Sequence, residues 1–269
     1  MKDKVVIITG GSSGIGKACA EVFGKEGAKI VITGRNEKTL LEETQLLKEK
    51  GIDVLAVVAD VSMEKDNEKM VAETISKYGK IDVLINNAGI SMHAMFEELD
   101  LSVIKKVMDI NFYGTVYATK YALPYLLKSK GSIVAVSSIA GKRGLPVRVG
   151  YSASKFAVEG FMEGLRTELL KTGVHVLVAC PGFTASNIRN TALSKNGSSY
   201  GESFRDEGKM MSAEEVAQEL LIAVKKRKRS LLLTTQGKVV VFLNKWFPSL
   251  VDKIVYNQLA KEKDSPLAK

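Results

Sequence analysis

The sequence predicts a doubly wound α/β fold, a seven-stranded parallel sheet with helices on both faces. Three observations predict it. Short apolar runs rich in Val and Ile alternate with longer stretches of helical spacing over most of the chain. These runs are continuously apolar rather than alternating, so both faces must be covered, which is the condition of parallel strands. A glycine-rich turn follows the first run and opens the first helical stretch.

In order, residues 5–9, 29–33, 53–58, 83–86, 132–137, 174–179 and 230–234 read as strands. Residues 15–26, 37–50, 64–78, 101–128 and 152–172 carry helical spacing between them. Crossovers in such a sheet are right-handed, which puts a ligand crevice at the carboxyl ends of the strands. No repeat or linker interrupts the pattern, so residues 1–237 form one domain. Two segments depart from the rhythm. Residues 187–211 are polar and rich in Gly and Ser, which reads as a long loop or lid. Residues 238–269 form a C-terminal extension, amphipathic over 238–261, where Val239-Val240-Val241-Phe242-Leu243 is followed by Trp246, Phe247, Leu250, Val251, Ile254, Val255 and Tyr256.

Composition bounds the function classes. The chain has 269 residues, 45% of them hydrophobic and 26% charged, with 5 prolines. That describes an ordered globular protein with a large core, disordered only at the last few residues, 261–269. The formal charge of +9 suits anionic partners: phosphorylated cofactors, acidic carrier proteins or anionic membranes. Nucleic acid is not among the expected partners. The densest basic run, Lys225 to Arg229, follows a helical stretch, whose C-terminus it can complement, and has no interleaved aromatics. The two cysteines, Cys19 and Cys180, form no C-x-x-C pair, so reduced thiols in a cytoplasmic compartment are expected. The first ten residues hold too short an apolar run for a signal-peptide core, and no window reaches the roughly 18 apolar residues a membrane span needs. His93 and His175 have no partner at metal-ligand spacing, so no metal is expected. His175 reads as a packed strand residue, and His93 as a loop residue that borders a pocket at most.

The glycine turn is Thr9-Gly10-Gly11-Ser12-Ser13-Gly14-Ile15-Gly16. Glycines let backbone approach a phosphate closely, and the helix that follows presents unpaired N–H groups and a positive dipole end. The spacing T-G-x-x-x-G-x-G resembles the short-chain dehydrogenase/reductase family. Further motifs carry the resemblance in the right order over roughly residues 4–235. They are Asp60-Val61 after the third strand, Asn86-Asn87-Ala88-Gly89 after the fourth, Asn111 in the next helix, and Ser138, Tyr151 and Lys155 at the family's spacing. Pro181-Gly182 follows the sixth strand. The resemblance implies a Rossmann-like fold that binds a nicotinamide dinucleotide through Gly10, Ser12, Ser13, Gly14, Ile15 and Gly16. It also implies cofactor contacts from Asp60 and Val61 at the adenine, from Asn87, Ala88 and Gly89, and from Tyr151 and Lys155 at the ribose. Pro181, Gly182, Thr184 and Ser186 would cap the nicotinamide amide, with Ser186 where the family's threonine usually stands.

The second strand ends in Thr33-Gly34-Arg35. A dinucleotide site that prefers NAD usually has an acid there to hold the ribose 2′-hydroxyl. Here Gly34 takes that place and a guanidinium follows, which can grip a 2′-phosphate bidentately. The expected cofactor is therefore NADP(H), with Arg35 and Ser12 or Ser13 at the phosphate.

Tyr151 and Lys155 lie four apart on a helix, hence on one face. A tyrosine titrates near pH 10, and a neighbouring ammonium is expected to lower that. The resemblance makes Tyr151 the acid/base and gives Lys155 a second role at the ribose. It has Ser138 hold the substrate oxygen and Asn111 hold a water that relays protons to Lys155. The implied activity is interconversion of a ketone or aldehyde and an alcohol, on an apolar or lipid-like substrate. Alternatives are a 3-oxoacyl carrier-protein reductase and, from another class, a non-catalytic NADP-binding regulator, against which the intact tetrad argues. A homo-oligomer, dimer or tetramer, is implied too. Gly160 and Gly164, four apart on the Tyr151 helix, would allow close helix packing. The extension reads either as a helix packed on the core or another subunit, or as a peripheral membrane contact.

Overall fold

The computed structural model describes residues 1–182, 184, 188, 191–199, 201, 210–261 and 265–268. Seven strands form one parallel sheet: β1 (Val5–Ile8), β2 (Lys29–Gly34), β3 (Val54–Val58), β4 (Val83–Asn86), β5 (Ser132–Val136), β6 (His175–Cys180) and β7 (Ser230–Leu232). Their spatial order is β3-β2-β1-β4-β5-β6-β7. The order reverses between β1 and β4, so the loops leaving these two strands diverge and open a crevice.

The sheet is covered on both sides, as its continuous apolar runs require. Val6, Ile8, Ile30, Ile32 and Ile85 face one core, packed under α1 (Gly14–Lys25), α2 (Glu37–Glu49) and α7 (Ala213–Lys225). Val5, Ile7, Val31, Leu84 and Ile133 face the other, under α3 (Glu64–Tyr78), α5 (Gly114–Ser129) and α6 (Val149–Glu168). Each such side chain, fully buried, contributes roughly 1.5–3 kcal/mol.

The stretch 101–128, expected as one helix, is interrupted. It runs as α4 (Leu101–Met108), a π turn over Asp109–Tyr113, and α5. A π turn inserts a residue into the helical ladder and is frequent at functional sites. Here it carries Asn111. The helix restarts at Gly114, where a Cβ would come within 2.9 Å of Val61.

The extension begins three residues earlier than the periodicity suggests. Thr234, at φ +63°, accepts from the Gly237 N–H and caps α8 (Thr235–Trp246). Pro248 then opens α9 (Pro248–Ala260), so the extension is a helical hairpin. It packs on Leu145 through Val251, Val255 and Leu259. The last residues, expected to be disordered, include a 3₁₀ turn at Pro266–Ala268, and the Tyr256 hydroxyl donates to the Leu267 carbonyl.

The basic run is dispersed rather than pooled. Lys225 pairs with Glu26 at 2.6 Å, Arg229 with Glu163 at 3.3 Å, and Arg227 donates to the Lys130 and Gly173 carbonyls. Gly160 and Gly164 meet nothing within 4 Å, so the close packing expected of them is not made within the chain. Among the described residues, no helix is long and apolar enough to cross a membrane.

Candidate active site

A cleft of about 830 Å³ runs along the carboxyl ends of the strands, from Arg35 at one end to Tyr151 and Leu193 at the other. The loop after β1 forms its floor. Gly10 (φ +66°) and Gly14 (φ +52°) adopt backbone that side chains disfavour. Gly16 sits behind the loop, where a Cβ would lie 2.2 Å from the Gly10 carbonyl oxygen. The first turn of α1 contains no acid, and the Ser13 side chain does not cap it, so its N–H groups stay available to an anion.

The loop is tied to the N-N-A-G segment. The Asn87 side-chain amide donates to the Thr9 carbonyl (2.9 Å) and the Gly10 carbonyl (3.2 Å). The Thr9 hydroxyl accepts from the N–H groups of Asn87 and Ala88, each at 3.0 Å. In the sequence Thr9 is only the first letter of the glycine motif. The structure makes it the clasp between the two loops that bound the crevice.

At the far end, Arg35 and Asp60 face each other 4.0 Å apart, and both line the cleft with Ser12 and Ser13. Arg35 is 56% exposed, so the pair contributes little to stability and leaves the guanidinium free to turn. The other Asp60 oxygen is held by the Ser62 N–H (3.0 Å) and hydroxyl (2.7 Å). A Cβ at Gly34 would meet Ser12 Oγ at 3.2 Å, so the position that carries an acid in NAD-preferring sites is crowded here. Val61 lines the wall beside Asp60.

The reactive end is built by β5, α6 and the π turn. Tyr151 and Lys155 lie one turn apart on α6, buried, with the ammonium 5.8 Å from the centre of the phenol ring. Lys155 Nζ donates to the Val136 carbonyl at 2.9 Å. Ser138 sits just after β5, half-buried, its Oγ accepting from the Ala140 N–H at 3.2 Å and placed near enough to the phenol to lower its pKa. Ser137, the next residue back along the chain, is buried, its hydroxyl where a Cβ on Gly141 would meet it at 2.6 Å.

Asn111 is 1% exposed and does not line the cleft directly. Its oxygen accepts from the Ile90 N–H (2.8 Å), and its amide donates to the Ile90 carbonyl (3.0 Å) and Ser154 Oγ (2.9 Å). Ser154 in turn donates to the Tyr151 carbonyl at 2.7 Å. The Asn111 amide therefore braces the N-N-A-G loop against the Tyr151 helix. Gly89 stands between Asn111 and Lys155: a Cβ there would be 3.1 Å from Asn111 Oδ1 and 3.4 Å from Lys155 Nζ. Glycine therefore leaves no side chain wedged between Asn111 and Lys155. Ser154 is not marked in the sequence, because a serine inside a helix carries no pattern of its own.

One expectation is corrected. Lys155 was expected to draw the phenol's pKa down. Burial dominates instead and holds Tyr151 above the usual tyrosine value, while the Ser138 hydrogen bond and then the Arg148 charge pull the other way. Lys155 itself is pushed down to about 8 by burial. Arg148, not singled out from the sequence, lines the cleft one turn before Tyr151.

Behind Lys155, Glu159 accepts from Cys180 Sγ (3.0 Å) and pairs with Lys142 (2.7 Å). Burial pushes the Cys180 thiol up and Cys19 to about 12, and both are free and buried. His175 is packed as expected, between Ser132 Oγ (3.1 Å) and the Lys228 carbonyl (2.8 Å). His93 is buried and does not line the cleft. Among the described residues, no cluster of His, Cys, Asp or Glu is arranged to hold a metal.

Pro181, Gly182 and Thr184 close the cleft from above, with Ile188, Thr191 and Leu193. Thr184 bridges to Met211, and its hydroxyl donates to the Gly182 carbonyl at 3.3 Å. Ser186 and much of the 187–211 lid lie outside the described residues. The site residues from Gly10 to Thr184 that were expected to act together thus converge on one cleft, with Gly16 and Asn111 immediately behind its wall.

A family model described as short chain dehydrogenase matches residues 4–197. The chain belongs to the short-chain dehydrogenase/reductase family. Among curated members of this oxidoreductase family, dehydrogenase/reductase SDR family member 7B of Rattus norvegicus is 37% identical over 98% of this chain and 84% of its own length. A short-chain dehydrogenase/reductase from Burkholderia phymatum, solved with NAD, superposes with a TM-score of 0.83 at 26% identity, covering 93% of this chain and 95% of that one. Actinorhodin polyketide ketoreductase, solved with NADPH, superposes at 0.74 with 30% identity, covering 83% of this chain and 92% of that one. Solved short-chain dehydrogenases/reductases of this shape thus hold NAD in one case and NADPH in another. The cradle a Cβ would fill at Gly16, the acid-free start of α1 and the cleft at the sheet's switch point all fit such a dinucleotide.

Proposed function

We propose that this protein is an NADP(H)-dependent carbonyl reductase acting on an apolar or lipid-like ketone or aldehyde. The observation that carries the reading is the meeting of Tyr151, Ser138 and Lys155 on the same cleft as the glycine loop and Arg35. The nicotinamide ring, when bound, supplies the hydride that reaches the carbonyl carbon. The chain's own residues do the rest. The Ser138 hydroxyl holds the substrate oxygen and keeps it beside the Tyr151 phenol. Because burial holds that phenol above its usual pKa, it carries its proton at neutral pH and is ready to donate it as negative charge develops on the oxygen. Lys155 holds the ribose and, with a water held at Asn111, returns a proton to Tyr151. Ile110, Leu145, Ile188 and Leu193 give the substrate end an apolar wall.

Arg35 is the residue that reads the 2′-phosphate, with Ser12 and Ser13 beside it. Arg35→Ala is expected to lower the NADPH-over-NADH ratio of kcat/KM by about 10- to 100-fold, the equivalent of losing charged hydrogen bonds of about 1.5–3 kcal/mol. An unchanged ratio would remove Arg35 from the argument and leave the catalytic group standing.

Gly16→Ala probes the cradle. The new methyl meets the Gly10 carbonyl oxygen, so the loop must shift, and strain of about 1–3 kcal/mol is expected. Titration of NADPH fluorescence should show a dissociation constant raised about 10- to 100-fold. Affinity equal to that of the unsubstituted protein would place the dinucleotide elsewhere.

A further inference from the structure

The hairpin α8–α9 has two unlike faces. Its inner face is accounted for. Val240, Leu243, Val251, Val255 and Leu259 pack with Leu145, while Asn244 and Asp252 both take up Arg143. Its outer face is apolar and bare. Val239, Phe242 and Trp246 recur at helical spacing along α8, and Leu250 and Ile254 do so along α9, with Phe247 at the turn between them. Phe242 is 63% exposed, Trp246 62% and Phe247 56%. Single exposed apolar residues need no explanation, but a run of this length on one hairpin marks an interaction surface.

Charge selects the partner. Residues 235–260 hold three lysines, Lys238, Lys245 and Lys253, and one acid, Asp252, which is committed to Arg143. At 100° per residue, Lys238 and Lys245 flank the Val239–Phe242–Trp246 stripe on the side away from Val240 and Asn244. Lys253 flanks Leu250 and Ile254 in the same way. Lys245 Nζ lies 5.4 Å from the Trp246 ring centre. Two copies joined through this face would bring like charges together. An anionic bilayer offers the opposite charge at its surface and an apolar layer just beneath it.

We propose that the α8–α9 hairpin is a monotopic docking face that seats Phe242, Trp246, Phe247 and Leu250 in an anionic lipid surface, with the three lysines at the headgroups. The hairpin's inner face lines a cavity of about 90 Å³ together with Ser138 and Gly182, so docking sets the lipid surface one helix away from the catalytic cleft. The inference stands on the hairpin alone and is tested without turnover.

Trp246 is the single tryptophan of the chain, so its fluorescence reports on this face directly. The full chain is mixed at low salt with vesicles of phosphatidylcholine containing about one-third phosphatidylserine. The expected result is a blue shift of Trp246 emission, quenching by brominated acyl chains, and co-sedimentation that weakens as salt is raised. A Lys238→Gln, Lys245→Gln, Lys253→Gln variant should partition roughly a hundredfold more weakly, at about fivefold per lysine. A Phe242→Ser, Phe247→Ser, Leu250→Ser variant should lose the blue shift while its far-UV spectrum and NADPH binding are retained. Emission unchanged by vesicles would overturn the proposal. So would emission that is already blue without lipid and shifts red on dilution, because the face would then be covered by a second copy. Equal binding to pure phosphatidylcholine would overturn the charge argument and with it the commitment to an anionic surface.

Discussion

Tyr151→Phe is expected to reduce carbonyl turnover by about a thousandfold, within the roughly 10²–10⁴ that a positioned acid supplies. NADPH affinity should stay nearly unchanged. The substitution removes one hydroxyl from a side chain that is 8% exposed and keeps the ring that packs with Met92 and Ala140. The loss should therefore appear in kcat rather than KM. The pH dependence has a definite sign. Burial raises the phenol's pKa, so the proton-donating form persists through neutral pH. Reduction should be flat from weakly acidic to neutral pH and fall only on the alkaline side, whereas alcohol oxidation, which needs the phenolate, should rise there. An acidic limb on the reduction rate would contradict the assignment. Retention of full activity by the phenylalanine variant would remove Tyr151 from the mechanism.

Lys155→Met is the second large effect, and it pulls function and stability in opposite directions. Turnover should fall at least about a hundredfold, because the buried cation that orients the ribose and returns the proton is gone. The fold, however, should gain. Burial lowers the Lys155 pKa from its ordinary 10.5 to about 8, which corresponds to about 3 kcal/mol of cost for the charged form. Loss of the hydrogen bond to the Val136 carbonyl returns about 1–2 kcal/mol of that. The variant should therefore unfold about 1–2 kcal/mol less readily at pH 7. With the folded pKa below the unfolded one, the unfolded chain binds more protons between pH 8 and 10.5, so the original protein gains stability as pH rises through that window. The gap between the two proteins should close there. Urea denaturation at pH 7 and pH 10 measures it, and a variant less stable at pH 7 would show that the ammonium is held by favourable contacts rather than tolerated.

The fold was legible because its signal is repeated. Continuous apolar runs at 5–8, 30–32 and 83–85 can only be covered from both sides, and the glycine loop fixes which ends of the strands matter. The site was legible where chemistry ties a residue type to a spacing, as at Tyr151, Lys155 and Gly10 to Gly16. It was not legible where a residue acts by position alone. The π turn that delivers Asn111 leaves the apolar spacing of 101–128 nearly intact, so the stretch reads as one helix. Thr9 and Ser154 reach their partners across the fold and have no local pattern. The direction of the Tyr151 shift depends on how deeply the phenol is buried, which a four-residue spacing does not encode. The hairpin was missed because Lys238 to Lys261 reads as one amphipathic stretch, although Pro248 marks the break.

The central claim is that this cleft moves hydride from NADPH to a carbonyl carbon under proton control by Tyr151. C4-deuterated NADPH, incubated with ketosteroids, retinals, 3-ketosphinganine, acetoacetyl thioesters and aryl ketones, tests it most directly by mass spectrometry of the products. The account predicts deuterium on the carbinol carbon of at least one apolar product, formed about a thousandfold more slowly by Tyr151→Phe, and a much slower reaction with the corresponding NADH. Tight NADPH binding with no deuterium in any product, or equal transfer by the phenylalanine variant, would contradict it.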